Sequence, residues 1–158
     1  MVLGAVPSGD VASADLIADH TYNLTVCSDG SSSVKCYEDY RCITDTTSAQ
    51  YQLQQRAYTD KNGLRKVGEY YCVAMGSYFG TEIGTRYEVE LKSGASFRVI
   101  LADQKADADT CKEHIHDPNG AILEFVVDTP CLPDMARTMG SIDYIKKFRG
   151  EIKSIRKE

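Results

Sequence analysis

Two segments that alternate between apolar and polar residues constrain the fold of this chain most strongly. Apolar residues recur at every second position over 86–92 and again over 96–101. They include Tyr87, Val89, Leu91, Phe97, Val99 and Leu101. A period of two residues places alternate side chains on opposite faces of a strand. Because Ser93-Gly94-Ala95 separates the segments, the pattern predicts an antiparallel hairpin with one buried face and one wet face.

A run of charged residues follows this predicted hairpin. Asp103, Asp107 and Asp109 come in quick succession after the second segment, and Lys105 lies between them. Such a density of charge does not suit the interior of a strand, because buried charges are costly unless they are paired. The run therefore predicts an exposed loop at a sheet edge or barrel mouth, and a functional site at that position.

Length and charge limit the number of domains and the class of partner. With 158 residues the chain is expected to hold one domain of ordinary size. We predict a cysteine-bearing N-terminal arm and extension over 1–48 and a β domain over 49–158. The formal net charge of −5 does not favour a nucleic acid partner, whose phosphates attract basic proteins.

The other short patterns predict a mostly β fold with short helices. Asp134 is suited to cap a short helix that runs through Met139, and a second short helix is expected near Ser141. Segments that favour strands are 22–26, 50–58, 66–75, 121–127 and 151–156. The residues expected to share the core are Tyr87, Val89, Val99, Leu101, Leu123 and Phe125.

No segment suggests a membrane span or an export signal. No apolar run approaches the roughly 20 residues that cross a bilayer, and the first residues lack the charged start and long apolar core of a signal peptide. We expect the protein to act outside the cell, at the cell wall, or as part of a virion.

The six cysteines contain no C-x-x-C pair, which argues against a zinc ribbon or a thioredoxin-type redox site. We predict at least one disulfide among Cys27, Cys36 and Cys42, because that segment has little apolar content to order it. Free buried thiols are the alternative. Cys111 and two nearby histidines match no strong zinc spacing. No metal and no cofactor are therefore expected.

The order of motifs over 68–128 resembles double-psi β-barrel domains that act on the cell wall. A glycine-rich segment leads into Gly84-Thr85-Arg86-Tyr87, and an apolar strand then runs into Leu101-Ala102-Asp103. Similar domains occur in rare lipoprotein A-like proteins, in membrane-bound lytic transglycosylase A, and in the three-aspartate domains of resuscitation-promoting proteins. The resemblance implies a small six-stranded double-psi β-barrel with short helices and an irregular N-terminal extension.

The same resemblance implies a function on peptidoglycan glycan. Asp103 corresponds to the first acidic residue of the family's groove and is predicted to be the catalytic acid and base, with Glu124 as its helper. Tyr78, Arg86, Lys105 and Asp107 are predicted to contact the glycan. A lytic transglycosylase needs one carboxyl that donates a proton to the leaving oxygen and later accepts one.

Other roles for these residues remain open at this point. Asp103 suits the cap of a turn, Glu124 suits a strand residue that points to water, and Tyr78 suits core packing. The general style of the chain is similar to modules of bacteriophages and other mobile elements. The alternative function is accordingly a structural or attachment module without catalysis, such as a phage tail component, whose acidic loop contacts a protein partner.

Overall fold

The computed structural model describes residues 20–24, 35–111 and 113–158. In this part of the chain, nine strands form one open mixed sheet accompanied by two short α-helices. The strands are β1 Thr21–Asn23, β2 Lys35–Asp39, β3 Tyr58–Thr59, β4 Arg65–Val67, β5 Tyr70–Met75, β6 Arg86–Leu91, β7 Ser96–Gln104, β8 Leu123–Val127 and β9 Ile152–Lys157. The helices are α1 Ala49–Arg56 and α2 Asp134–Met139. The prediction of a mostly β fold with short helices is confirmed.

The sheet follows the order β1-β9-β6-β7-β5-β4-β3, and β8 joins β5 to β2. The pairs β5–β7 and β2–β8 are parallel, and the other pairs are antiparallel. Within the described ranges, β1, β2 and β3 each pair on one side only, so the sheet is not closed. A six-stranded double-psi barrel is therefore not confirmed. Strands β1 and β2 come from the region predicted to be an N-terminal extension.

The predicted hairpin is confirmed as β6 and β7, which pair antiparallel. Tyr87 lies opposite Val99, and Val89 lies opposite Phe97. Gly94 supports the turn with a φ of +89°, a conformation that other residues rarely adopt. The alternation therefore identified both strands and the side of each that faces the larger core. The second face is not wet throughout, because Ile100 and Ala102 of β7 are buried there.

Two other predicted strands differ from the structure. The strand expected over 50–58 is wrong, because most of this segment is the helix α1. The Ser48 hydroxyl caps α1 by accepting a hydrogen bond from the Tyr51 N–H at 3.1 Å. The segment 66–75 is divided into β4 and β5 by a turn at Gly68, whose φ is +58°.

The larger core lies on one face of the sheet. Most of its buried residues come from β5, β6, β7, β8 and β9 and from the 3₁₀ turns that follow α2. All six residues expected in the core belong to it and are fully buried: Tyr87, Val89, Val99, Leu101, Leu123 and Phe125. The opposite face carries a smaller cluster made of Leu53, Cys72, Ile100, Ala102 and Val126, which α1 covers through Leu53.

The described cysteines are free thiols. Cys36 and Cys42 are therefore not joined to each other, and Cys27 lies outside the described residues. Within those same ranges, the structure contains no helix long and apolar enough to cross a bilayer.

Phe148 closes the larger core from a short 3₁₀ turn. Its ring lies 5.0 Å from Tyr71, 4.9 Å from Phe97 and 4.9 Å from Phe125, measured between ring centroids. One side chain from outside the sheet therefore packs against aromatic residues of three strands.

We expect Phe148→Ala to lower the free energy of unfolding by about 3–5 kcal/mol, because it removes a buried aromatic ring and leaves a cavity. Tyr144→Ala is the matched control, since this ring from the preceding 3₁₀ turn is 41% exposed. Urea unfolding of both variants measures the difference. Equal effects of the two substitutions would contradict the assignment of Phe148 as the residue that closes the core.

Candidate functional site

A β-bulge in β7 determines where Asp103 points. Val73 of β5 lies opposite Leu101, whereas Ala74 lies opposite Asp103, so Ala102 is an extra residue without a partner. Regular alternation would continue from Val99 and Leu101 and direct Asp103 into the larger core. The bulge instead turns Asp103 to the opposite face, because two residues of the bulged strand share one partner.

Three further side chains reach this face through strand pairing. Glu124 of β8 lies opposite both Ala74 of β5 and Cys36 of β2. Glu38 follows Cys36 by two residues and therefore points to the same side. Residues opposite each other in neighbouring strands share a face. The sheet thus brings Asp103, Glu124 and Glu38 together, although the chain separates them widely.

Glu38 is the most perturbed carboxyl of this group. Burial, the negative charge of Asp103 and a hydrogen bond to Asp103 raise the pKa of Glu38 to about 9, and Glu124 adds to the shift. At neutral pH the Glu38–Asp103 pair therefore retains a proton, which lies in the hydrogen bond between the two carboxyls. Two carboxyls in contact bind one proton as a unit, since both cannot ionise cheaply. Asp103 also accepts a hydrogen bond from the Gln104 N–H at 2.8 Å.

Glu124 is half-buried, and the Lys105 ammonium offsets only part of the effect of burial on its pKa. Burial raises the pKa of Glu124, the Lys105 ammonium lowers it, and the Asp117 and Asp103 carboxylates raise it. The Lys105 ammonium is itself buried and donates to the Asp117 Oδ2 and to the Ala121 carbonyl, both at 2.9 Å. Lys105 therefore anchors the loop that ends at β8 and supplies positive charge beneath the carboxyls.

A groove of about 620 Å³ opens beside these residues. Its lining includes Glu124, Gln104 and Lys105, and also Asp109, Asp117 and Pro118 from the loop between β7 and β8. This volume falls within the range of small-molecule sites. Of the three clustered carboxyls, Glu124 lines the groove, and Asp103 and Glu38 are not part of its lining. The arrangement provides a groove-facing acid supported by a protonated pair.

The same face contains a set of possible metal ligands. Ligand atoms of Cys36, Asp117 and Glu124 all lie within 4.8 Å of one another. The Lys105 ammonium already contacts Asp117, and the Cys36 thiol lies 3.9 Å from Asp117 Oδ2. Burial and the charge of Glu124 raise the pKa of Cys36 to about 12, so the thiol keeps its proton. These groups fit a hydrogen-bonded cluster better than a metal site.

The structure separates the remaining predicted contacts from the groove lining. Tyr78 is 43% exposed and packs against Phe79, with 5.2 Å between ring centroids. Arg86 stacks on Tyr70, its Cζ atom 4.7 Å from the ring centroid, and lines a different depression. Asp107 is exposed and accepts a hydrogen bond from the Ser77 hydroxyl at 2.6 Å. Asp103, Glu124 and Lys105 are thus the predicted site residues that the fold clusters.

Glu38 was missed in the sequence reasoning. It lies in the polar segment around β2, and nothing local distinguishes it from a solvated residue. Its position depends on the parallel pairing of β2 with β8, which joins parts of the chain more than eighty residues apart. The alternation of Cys36 and Glu38 was the one available signal, and it indicates a shared face without identifying the partner strand.

Comparison with protein-family models, with curated proteins and with solved structures finds no match.

We expect Glu38→Gln to change how stability depends on pH. Because the pKa of Glu38 rises from 4.5 to about 9 on folding, the folded protein binds more protons between these values. Wild-type stability therefore falls as pH rises through this window, by at most about 1.4 kcal/mol per pH unit. Glu38→Gln removes that loss, so the variant gains stability relative to wild type as pH rises from 5 to 9. Urea unfolding across this range measures the trend.

Asp45→Asn is a control with the opposite sign. Hydrogen bonds from the Thr47 hydroxyl and the Thr47 N–H lower the pKa of Asp45. The ionised Asp45 carboxylate therefore stabilises the folded protein at neutral pH, and this stabilisation is lost in acid. Asp45→Asn should be less stable than wild type at pH 7 and should approach wild-type stability near pH 2. A Glu38→Gln difference that stays constant from pH 5 to pH 9 would refute the protonated pair.

Lys105→Met should lower the free energy of unfolding by on the order of 3 kcal/mol, because it removes one partner of a buried ion pair. The Lys105 side chain is 3% exposed and that of Asp117 is 19% exposed. Lys92→Met is the matched control: Lys92 pairs with Glu151 at the surface, where an ion pair contributes less than about 1 kcal/mol. Equal losses in both variants, measured by urea unfolding, would contradict the anchoring role of Lys105.

Proposed function

We propose that this protein cleaves peptidoglycan glycan by lytic transglycosylase chemistry, with Glu124 as the acid and base in the groove. The observation that carries the proposal is the carboxyl cluster beside that groove: a half-buried Glu124 with a raised pKa, backed by the protonated Glu38–Asp103 pair. A raised pKa keeps a carboxyl protonated near the pH at which it must donate. Perturbed groups in a cleft are typical of catalytic sites.

The proposed reaction needs one carboxyl and consumes no water. Protonated Glu124 donates to the glycosidic oxygen, and the bond from that oxygen to the sugar C1 breaks. The C6 hydroxyl of the same sugar then attacks C1, and the Glu124 carboxylate accepts the hydroxyl proton. The products are a shortened glycan and a 1,6-anhydro sugar, and Glu124 returns to its protonated state.

Asp103 and Glu38 have a positioning role in this scheme. The charge of Asp103 adds to the raised pKa of Glu124, and Glu38 holds Asp103 in place through their shared proton. The sequence prediction gave the catalytic role to Asp103 and the helper role to Glu124. The groove lining favours the reverse, because Glu124 is the carboxyl of the cluster that reaches it.

The choice of substrate rests on the resemblance to double-psi β-barrels of the cell wall, which supports a glycan in the groove. That relationship is part of the proposal, as is a location at the cell wall or on a virion. The acidic groove lining suits a neutral or hydroxyl-rich ligand better than an anion. A groove that binds a wall glycan without cleaving it is the weaker form of the same proposal.

We expect Glu124→Gln to lower the rate of peptidoglycan cleavage by ~100-fold or more, the effect of losing general acid and base catalysis. Asp103→Asn should cause a smaller loss and move the alkaline limb of the pH–rate profile to lower pH, because it removes a charge that raises the pKa of Glu124. Chromatography and mass spectrometry of the released muropeptides measure the rates and identify 1,6-anhydro products.

Asp107→Asn is the matched control, since Asp107 is exposed and its carboxylate contacts Ser77 outside the cluster. Its rate should remain within a few-fold of wild type. A larger loss from Asp103→Asn than from Glu124→Gln would return the catalytic role to Asp103. If wild type releases no product from any wall preparation, the proposed activity fails and the alternative of a structural or attachment module is favoured.

A further inference from the structure

A second groove, of about 800 Å³, is strongly basic although the whole chain is acidic. Its lining includes Lys61, Lys66, Lys146 and Lys147 together with the rings of Tyr58 and Tyr71. The first two lysines come from the turn and strand around β4, and the other two come from the last 3₁₀ turn. Two distant parts of the chain therefore converge on one cationic surface.

Tyr71 holds two of the four ammonium groups in place. The Lys66 Nζ lies 4.4 Å from the centroid of the Tyr71 ring, and the Lys147 Nζ lies 4.9 Å from it. Lys147 also donates a hydrogen bond to the Tyr71 hydroxyl at 3.0 Å. The ring is 6% exposed and fixed in the larger core, so both cations rest on a rigid support. Cation–π contacts orient the ammonium groups and leave their remaining N–H bonds for a ligand.

Four lysines and one acidic residue, Asp60, give the lining of this groove a net positive charge. None of the four lysines forms an ion pair with a carboxylate in the described part of the chain. The acidic residue of the lining, Asp60, uses its Oδ1 atom to accept the N–H groups of Asn62 and Leu64, both at 2.9 Å. Like charges brought together without a counterion oppose folding, and a bound anion relieves that repulsion.

We infer that this groove binds a phosphate group, either as a small phosphorylated molecule or as a unit of a phosphate polymer. Its cations are all lysines, and lysine binds phosphate as a point charge from several directions. Planar carboxylates are instead matched by the fork of arginine, and no arginine lines this groove. The inference does not depend on the proposed glycan cleavage, because the two grooves have no lining residue in common.

Calorimetric titration of the full chain with inorganic phosphate and with linear polyphosphate tests the inference. We expect both probes to bind, with affinity that falls as salt rises. Lys66→Gln and Lys147→Gln should each lower the affinity by about tenfold, as expected for losing one charge-assisted hydrogen bond. If polyphosphate binds far more tightly than phosphate, the ligand is a polymer; similar affinities indicate a small phosphorylated molecule.

Lys92→Gln and Lys153→Gln are matched controls, because each removes one positive charge from an exposed residue outside the groove. They should leave both affinities unchanged. Lys61→Gln and Lys146→Gln lower the groove charge without touching Tyr71, so they test the site even if Lys66→Gln or Lys147→Gln disturbs folding. We expect a reduced affinity in these variants as well.

Three results would overturn the inference. The first is that neither probe binds wild type at millimolar concentration. The second is that the groove variants and the control variants lose affinity equally, which would mean that only net charge matters. The third is that citrate, a compact polycarboxylate, binds more tightly than phosphate.

Discussion

The β-bulge in β7 is the constraint on which the candidate site depends. The hairpin's alternation sends every second residue of β7 into the larger core, and without the bulge Asp103 would follow Leu101 there. An unpaired carboxylate in that core would cost far more than an unpaired neutral polar group, whose burial costs roughly 2–7 kcal/mol. One extra residue, Ala102, moves the carboxyl to the other face. The same irregularity therefore protects the core and places Asp103 beside Glu38 and Glu124.

Desolvation and repulsion within the carboxyl cluster are only partly balanced by Lys105. One buried cation serves Asp117 directly and acts at longer range on Glu38 and Glu124. The remaining imbalance appears as a proton retained by the Glu38–Asp103 pair. A sheet face of this kind weakens the folded state above neutral pH, and such local destabilisation is common where a protein keeps groups ready for chemistry. The cluster therefore lowers stability in this range, a cost that the proposed function would account for.

Local pattern was sufficient to predict much of the fold from the sequence. Alternation identified β6, β7 and the core residues. The short helix through Met139 is present as α2, but Asp134 is its first residue and not its cap, because Pro133 occupies the N-cap without a side-chain hydrogen bond. The strand prediction over 50–58 failed, because a short amphipathic segment can show the alternation of a strand and still form a capped helix. Local pattern could not predict that the sheet is open. Closure depends on which strands pair at the edges, and that pairing joins segments far apart in the chain.

Local pattern likewise predicted only part of the candidate site. Asp103, Lys105 and Glu124 were recognised because each stands at a conspicuous place in or beside an apolar strand. Glu38 and the groove lined by four lysines were not recognised. In both cases the residues that act together come from segments far apart in the chain. The groove joins residues near β4 to the last 3₁₀ turn, and only the folded core around Tyr71 brings them together. Residues that act together are found by local pattern only when they are also close in sequence.

Net charge is a poor guide to the ligands of this molecule. The total of −5 combines a carboxyl cluster and a lysine groove that belong to different surfaces. Along β5, Tyr71 packs into the larger core and supports the lysines, whereas Ala74 lies opposite Asp103 and Glu124 on the other face. Charges at a surface act over a Debye length of about 8–10 Å. A bound ligand therefore responds to the groove that it enters, and one acidic chain presents two surfaces suited to chemically different ligands.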